Sequence, residues 1–204
     1  TKLDLGLDVR MLNNKIDITA DYFNDKRTDL LVGGVPISGI NGGYAPGSGS
    51  PTVNAGTVVN KGFEFSMNYK NDSNKIKYSL GFNATTINNE VLEVKNSTGY
   101  IESGSFGIGQ LAPTRMEVGQ PMGVFYGLQA DGIFQNQAEI NAHPSQTGLG
   151  SATSPGDIRF KDINGDGAID FKDRTYIGKP IADFTLGFNV NVNYKNIDFV
   201  AYAY

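Results

Sequence analysis

The sequence predicts an antiparallel all-β fold, specifically a segment of a transmembrane β-barrel with long extracellular loops. Three observations support this prediction: long runs that alternate between apolar and polar residues, connections that alternate between very short and very long, and 26 Gly, 12 Phe and 10 Tyr with few helix signals. Soluble strands usually have about 5 or 6 residues, whereas a tilted strand needs about 9 to 11 to cross a bilayer. The alternating runs have the longer dimension.

The first two alternating runs predict a hairpin. Residues 2–11 place Leu and Val on one face and mainly charged residues on the other, and residues 16–22 continue the pattern. Asn13-Asn14 is expected to close the hairpin as a two-residue turn, because Asn tolerates positive φ. Residues 27–56, rich in Gly, Ser and Pro, then form a loop too long for an ordinary connection.

Further alternating runs predict two more short-turn hairpins. Residues 62–69 and 76–84 flank a short polar turn, and residues 184–194 lead through a tight Lys-Asn turn into the last run. Tyrosines beside these turns on the apolar face are expected to form an aromatic girdle at a membrane interface. They are Tyr69, Tyr78 and Tyr194. Both ends of the chain still alternate, so we expect a fragment of a longer barrel.

The long segment 89–183 is expected to lie outside the cell. The runs on either side of it meet short turns at their other ends, so the segment must leave and return at the same end of the barrel. Short alternations within it, such as MGVFYGLQADGIF, are then small strands rather than barrel strands. The sequence therefore predicts a barrel segment over 1–204 with an extracellular elaboration at 89–183.

The stretch DINGDGAIDFKD, residues 162–173, predicts a calcium loop within that elaboration. Oxygen-bearing side chains occupy loop positions 1, 3, 5, 9 and 12, with Gly at position 6 and a backbone carbonyl at position 7, and Ca²⁺ prefers such oxygen ligands. The predicted ligands are Asp162, Asn164, Asp166, Ala168 through its carbonyl, Asp170 and Asp173. Position 12 carries Asp instead of the usual Glu, and the flanks do not predict helices. A solvated Asx-turn without an ion is the alternative.

Composition and motifs exclude several classes of function. A net charge of −4 and a pI near 5.0 provide no basic surface for nucleic acid. The absence of cysteine excludes disulfides and zinc-thiolate sites, and no apolar run reaches the roughly 18 residues of a transmembrane helix. His143 is the only histidine, and no nucleophile with an adjacent base is evident, so the sequence predicts no enzyme.

Aromatic residues in the expected outer loops are candidate substrate contacts. Their rings can stack on sugars or on peptide side chains, although such residues also pack a loop against its neighbour. The candidates are Tyr44, Tyr100, Phe106, Phe125 and Tyr126.

Three stretches resemble the SusC/RagA family of TonB-dependent outer-membrane transporters. They are NAGTVVNKGFEFSMNYK (54–70), GQPMGVFYGLQADGIFQ (119–135) and PGDIRFKDINGDGAIDFKDRTYIGKPIADFTLGFNVNVNYKNIDF (155–199). The resemblance implies a barrel of about 22 strands plugged by an N-terminal domain, with residues 1–204 in its C-terminal wall. It also implies import of glycan oligosaccharides or peptides across the bacterial outer membrane, with a SusD-like surface lipoprotein as partner and TonB as the source of energy. The plug and the TonB-contacting segment have no counterpart in this sequence.

One alternative belongs to a different class. A soluble or surface module could use the acidic loop for calcium-dependent binding or adhesion, as dockerins do. Dockerins pair such loops with helices in a tandem repeat, whereas this sequence has one loop and no repeat. That difference favours the transporter interpretation.

Overall fold

The computed structural model describes residues 1–32, 52–96, 98–104, 107 and 111–204, and most of these residues lie in strands. The strands are β1 Lys2–Met11, β2 Ile16–Val32, β3 Val53–Asn71, β4 Ile76–Val94, β5 Tyr100–Ser103, β6 Thr114–Glu117, β7 Val124–Leu128, β8 Ala130–Ile133, β9 Ile158–Phe160, β10 Arg174–Gly178, β11 Phe184–Tyr194 and β12 Ile197–Ala203. One short helix, α1, spans Gln137–Ala142, and two 3₁₀ turns span Thr147–Leu149 and Phe171–Asp173. No helix among these residues is long and apolar enough to cross a membrane.

The chain divides into two compact units. The first comprises residues 1–99, 117–122 and 181–204. The second comprises residues 100–116 and 123–180.

A six-stranded antiparallel sheet forms most of the first unit, with strand order β1-β2-β3-β4-β11-β12. Its register places apolar side chains beside one another from strand to strand, because alternate residues of a strand share a face. One such row crosses all six strands and consists of Val9, Ile18, Met67, Phe82, Phe188 and Ala203. The sequence pattern therefore determines two chemically different faces of one sheet.

The apolar face carries aromatic contacts and is largely exposed. The ring centroid of Phe82 lies 6.0 Å from that of Phe65 and 5.1 Å from that of Phe188. Leu7 is 62% exposed and Phe188 is 50% exposed. The opposite face carries Asp, Asn, Ser and Thr. The expected alternation is thus confirmed in all the long runs.

Two details of the first hairpins differ from the expectation. The β1–β2 turn has four residues, 12–15, because Met11 pairs with Ile16, and Leu12, Asn13 and Asn14 all take positive φ. A two-residue Asn13-Asn14 turn was therefore wrong.

The connection after β2 is also shorter than expected. Strands β2 and β3 continue pairing as far as Val32 and Val53, so the predicted loop boundaries of 27 and 56 were wrong. Ladder hydrogen bonds to the neighbouring strand outweigh the low strand propensity of the local Gly and Asp residues.

The chain leaves and re-enters the six-stranded sheet at the same end. Strands β4 and β11 are paired neighbours, and the Ile87 amide donates to the Asp183 carbonyl at 2.9 Å. Near this end, β3 and β4 form a small core with residues 117–122. Val91 is fully buried there, and its amide and carbonyl bond to the backbone of Gln120 and Gly119 at 2.9 Å.

The second unit contains two smaller sheets. One has four strands in the order β10-β7-β6-β5, and the other pairs β8 with β9. Its buried apolar residues are Ile101, Met116, Val124, Phe134 and Ile169. This unit holds the acidic loop and the described candidate aromatic residues.

Candidate functional site

The acidic loop 162–173 is a chain of side-chain-to-backbone hydrogen bonds. The Asp162 carboxylate accepts from the amides of Gly165 at 2.7 Å and Gly167 at 2.9 Å. Asn164 Oδ1 accepts from the Asp166 amide at 2.8 Å, and Asp166 Oδ1 accepts from the Ala168 amide at 3.0 Å. Gly165 and Gly167 take φ values of 73° and 84°, which L side chains rarely adopt. Short Asx side chains and glycines together produce this tight winding.

Asp173 closes the loop from its far end. Its side chain is fully buried and accepts from the amides of Ile163 at 2.9 Å, Asn164 at 3.3 Å and Asp170 at 2.9 Å. The hydrogen bond from the Asp170 amide is the main reason that the pKa of Asp173 lies below its usual value, although burial acts in the opposite direction. Position 12 therefore stabilises the loop as an ionised, buried anchor.

Ile169 attaches the loop to the rest of the second unit. Its side chain is fully buried, and its amide donates to the Ser145 carbonyl at 2.7 Å. Ser145 also forms a parallel bridge with Ala168. The loop is thus held at both its apolar position 8 and its acidic position 12.

The donor atoms of this loop are of the type that binds calcium, but its carboxylates are not arranged as a coordination sphere. Hard carboxylate and amide oxygens stand at the expected positions, and an oxygen that accepts an N–H keeps a second lone pair. Within the described residues, however, no three His, Cys, Asp or Glu side chains are grouped so that they could hold a metal ion. The calcium site and its six ligands stay a prediction.

Two of the candidate aromatic residues meet around one arginine. The Arg115 guanidinium lies 3.9 Å from the ring centroid of Tyr100 and 3.6 Å from that of Tyr126. Arg115 also donates to Glu102 at 2.9 Å, and Arg174 lies 3.6 Å from the same carboxylate. Arg174 bonds in addition to the carbonyls of Ala112 and Tyr126. Cation–π contacts and ion pairs thereby tie β5, β6, β7 and β10 together.

This Tyr–Arg cluster bears on the candidate substrate contacts. Tyr100 and Tyr126 each use one ring face for Arg115, which favours the alternative that they pack the loops. Phe125 lies on the opposite face of β7 by strand alternation and is 41% exposed. Tyr44 and Phe106 lie outside the described residues.

Sequence reasoning missed the two arginines and Glu102. The three residues come from separate segments, and their short-range sequence contexts contain no motif. Their side chains are only 9% to 33% exposed. The strand order β10-β7-β6-β5 brings them together.

His143 has structural contacts. Its Nδ1 lies 3.0 Å from the carbonyl oxygen of Pro144, and its ring stands edge-on to buried Phe134 with centroids 5.2 Å apart. A carbonyl only accepts, so Nδ1 carries the proton. These contacts are those of a packing residue.

The comparisons with known proteins agree with these observations. TonB-dependent receptor P3 of Formosa agariphila is 33% identical over 97% of this chain, and TonB-dependent receptor SusC of Bacteroides thetaiotaomicron is 30% identical over 98%. Over nearly its whole length, the chain is similar to a segment of the SusC/RagA-type TonB-dependent receptors. No family model matches it. The chain spans only about a fifth of the length of these relatives, 19% of the first and 18% of SusC.

Solved structures of this family confirm the fold. The structure of the RagAB peptide transporter superimposes with a TM-score of 0.68 over 98% of this chain and 20% of its own, at 18% identity. The RagAB peptide importer in the open-open state gives a TM-score of 0.70 at 17% identity. The six-stranded sheet therefore has the antiparallel fold of a segment of this transporter's barrel, as expected. These relatives are named as receptors and transporters rather than as enzymes.

Proposed function

We propose that this chain is part of the wall of a bacterial outer-membrane importer. The importer takes up glycan oligosaccharides or peptides together with a SusD-like surface lipoprotein and draws energy through TonB. The names of the relatives support this proposal: one is the TonB-dependent receptor SusC, and another is the RagAB peptide importer. Contact with TonB belongs to the rest of the longer protein, because this segment matches only about a fifth of its relatives.

The two-faced six-stranded sheet is the observation that carries the proposal. Its apolar face exposes Leu3, Leu5, Leu7, Phe63, Phe184 and Phe188 at 45% or more. Soluble monomers rarely expose a contiguous apolar patch larger than a few hundred Å². Lipid covers such a face without cost, and the polar opposite face suits a hydrated lumen.

The unequal lengths of the connections at the two ends of the sheet indicate its orientation across the membrane. The turns at 12–15, 72–75 and 195–196 all lie at one end of the sheet, whereas the chain after β2 and after β4 departs from the other end. Outer-membrane barrels have short periplasmic turns and long extracellular loops. Residues 89–183 therefore extend outside the cell, although β4 continues to Val94 before the chain leaves the sheet.

Cell fractionation tests the proposal. The native full-length protein should remain in the outer-membrane fraction after salt washing and should co-purify with a lipoprotein. Uptake of a labelled oligosaccharide or peptide should stop when the gene is deleted and return with the wild-type copy. Recovery of the protein in the soluble fraction would contradict the membrane location, and unchanged uptake of every labelled glycan and peptide would contradict the importer role.

The acidic loop supports a second proposal, that bound Ca²⁺ stiffens the loop and the second unit that holds it. The support is the spacing of its oxygen donors and the closed geometry that Asp173 imposes. Extracellular calcium sites of millimolar affinity are common, so a site that lacks the usual Glu can still fill. The exposed Asp166 offers a clean test, because its removal leaves the buried anchor in place.

Limited proteolysis of the full-length protein measures the effect. Wild type should be cleaved faster near 162–173 when a chelator is added, and Asp166→Ala should be cleaved equally fast with or without chelator. A matched control is Asp157→Ala, which changes an exposed carboxylate outside the loop. Protection of wild type that does not depend on calcium would establish the ion-free Asx-turn. The dockerin-like adhesion alternative gains no support from the six-stranded sheet.

A further inference from the structure

Each of the three short turns carries a lysine. Lys15 ends the β1–β2 turn, Lys75 ends the β3–β4 turn, and Lys195 begins the two-residue turn between β11 and β12. All three turns join neighbouring antiparallel strands of one sheet, so they lie along the same end of it. We call these residues the turn lysines.

The turn lysines have no ion-pair partner among the described residues. None has a carboxylate oxygen within 4.0 Å, whereas at the opposite end Lys2 and Lys95 are paired and Lys26 and Lys61 are not. Lys95 lies 3.0 Å from Asp29, and Lys2 lies 2.9 Å from Asp4.

Lys195 occupies a position that its residue type does not favour. Its φ is 54°, in the left-handed region where the first central residue of a tight hairpin is usually Gly, Asn or Asp. Its ammonium lies 5.3 Å from the ring centroid of Tyr194. Tyr194 is on the apolar face, next to Ile76 across the β4–β11 pair. The lysine head is thus held beside the lipid-facing surface.

The tyrosines define where the apolar face ends. Tyr69 and Tyr78 lie on the same face near the other turns, with ring centroids 5.8 Å apart. Tyrosine rings prefer the level of the lipid headgroups. The turn lysines follow directly beyond that level.

We propose that the turn lysines bind the phosphate groups of anionic phospholipids in the leaflet next to the short turns. This proposal rests on the proposed function, because it requires the sheet to cross a membrane. The match is one of charge: unpaired ammonium groups meet phosphates at headgroup depth, and the chain of a Lys can reach toward the interface. Lys70 and Lys77 are not included, because they line a recess of about 620 Å³ with Asp72 and Asp198.

Native mass spectrometry of the purified full-length transporter tests the proposal. The probes are phosphatidylglycerol, which is anionic, and phosphatidylcholine, which is zwitterionic. The test variant replaces Lys15, Lys75 and Lys195 by Gln, and a second variant replaces them by Arg to keep the charge. The control variant replaces Lys26, Lys61 and Lys95, which lie toward the opposite end of the sheet, by Gln.

Three charges near a lipid surface should change the affinity on the order of 100-fold at low ionic strength. We expect the dissociation constant for phosphatidylglycerol to rise by that factor only in the variant with Gln at the three turn lysines. The dissociation constant for phosphatidylcholine should change little. The Arg variant and the opposite-end control should bind phosphatidylglycerol like wild type, and added salt should reduce the difference.

Several outcomes would overturn the proposal. Equal binding of phosphatidylglycerol by wild type and the Gln variant would do so, and so would an equal loss of both lipids. If the Gln variant instead loses a co-purifying acidic protein and keeps its lipid, the turn lysines form a protein-docking edge. Failure of the wild-type protein to fractionate with membranes would overturn the proposed function itself, before any lipid is added.

Discussion

An arginine on the apolar face of β1 should destabilise the assembled protein far more than an arginine one residue later. Strand β1 has ten residues, Lys2–Met11, which span about 34 Å along the strand and about 24 Å of depth when tilted by about 45°. That depth is close to the apolar band of about 25 Å in outer-membrane barrels. Leu7 lies near its middle and is 62% exposed on the apolar face.

The expected loss of stability follows from the depth of Leu7 in the bilayer. An Arg at the bilayer midplane on the lipid side costs about 2 to 4 kcal/mol, so Leu7→Arg should lower the ratio of folded to unfolded protein by roughly 30-fold to 1,000-fold. Asp8→Arg is the matched control on the polar face. It loses one exposed hydrogen bond from Thr19, with a distance of 2.8 Å, at a cost of about 0.5 to 1.5 kcal/mol.

Heat modifiability provides the assay. Full-length wild type, Leu7→Arg and Asp8→Arg are incubated in detergent at increasing temperature, and the folded fraction is read from its faster migration in gels. The amount of each protein assembled in the outer membrane is measured in parallel. We expect Leu7→Arg to unfold at the lowest temperature and to assemble poorly. If Asp8→Arg is as damaging as Leu7→Arg, or more so, the assignment of the two faces is refuted.

Three further outcomes are expected. Asp173→Ala should open the acidic loop, because three backbone amides lose a buried charged acceptor at a cost of about 3 kcal/mol or more, and hydrogen exchange at 162–173 should accelerate while exchange in β1–β4 stays unchanged. Arg115→Ala should destabilise β5–β7 by about 2 kcal/mol in a thermal unfolding measurement. Arg10 is 76% exposed in its ion pair, so Arg10→Ala should change stability by less than about 1 kcal/mol in that measurement. Gly62→Ala should destabilise the sheet more than Gly81→Ala, since the new methyl would meet the Thr86 backbone carbonyl in the first case and movable Asn side chains in the second, and equal melting temperatures would contradict this.

The barrel strands could be predicted from the sequence because their alternation of apolar and polar residues repeats every two residues. The run at 184–194 matches β11 from Phe184 to Tyr194, and the Lys195-Asn196 turn is where the pattern placed it. Strand ends were less accessible. Residues 23–32 and 53–61 lack clean alternation, and only their pairing with each other extends β2 and β3.

Part of the candidate site could be predicted from the sequence. The acidic loop is local, so its spacing is visible in twelve consecutive residues, whereas the Tyr–Arg cluster joins positions 100, 115, 126 and 174 through strand pairing. Tyr100 and Tyr126 were noticed as aromatic residues, but their arginine partner carries no local signal. Ion selectivity of the acidic loop depends on fractions of an ångström in oxygen positions, which a residue pattern does not specify.

One measurement tests the central claim that the six-stranded sheet is a membrane wall. Single cysteines are placed in turn along β11, residues 184–194, of the full-length protein with any other cysteines replaced, and each is labelled with a nitroxide in the native membrane. Accessibility to oxygen, which concentrates in lipid, is compared with accessibility to a water-soluble nickel complex. If the apolar face meets lipid, oxygen accessibility should peak at every second position, namely at Phe184, Leu186, Phe188, Val190, Val192 and Tyr194. Equal access of the nickel complex to both sets of positions would contradict the central claim.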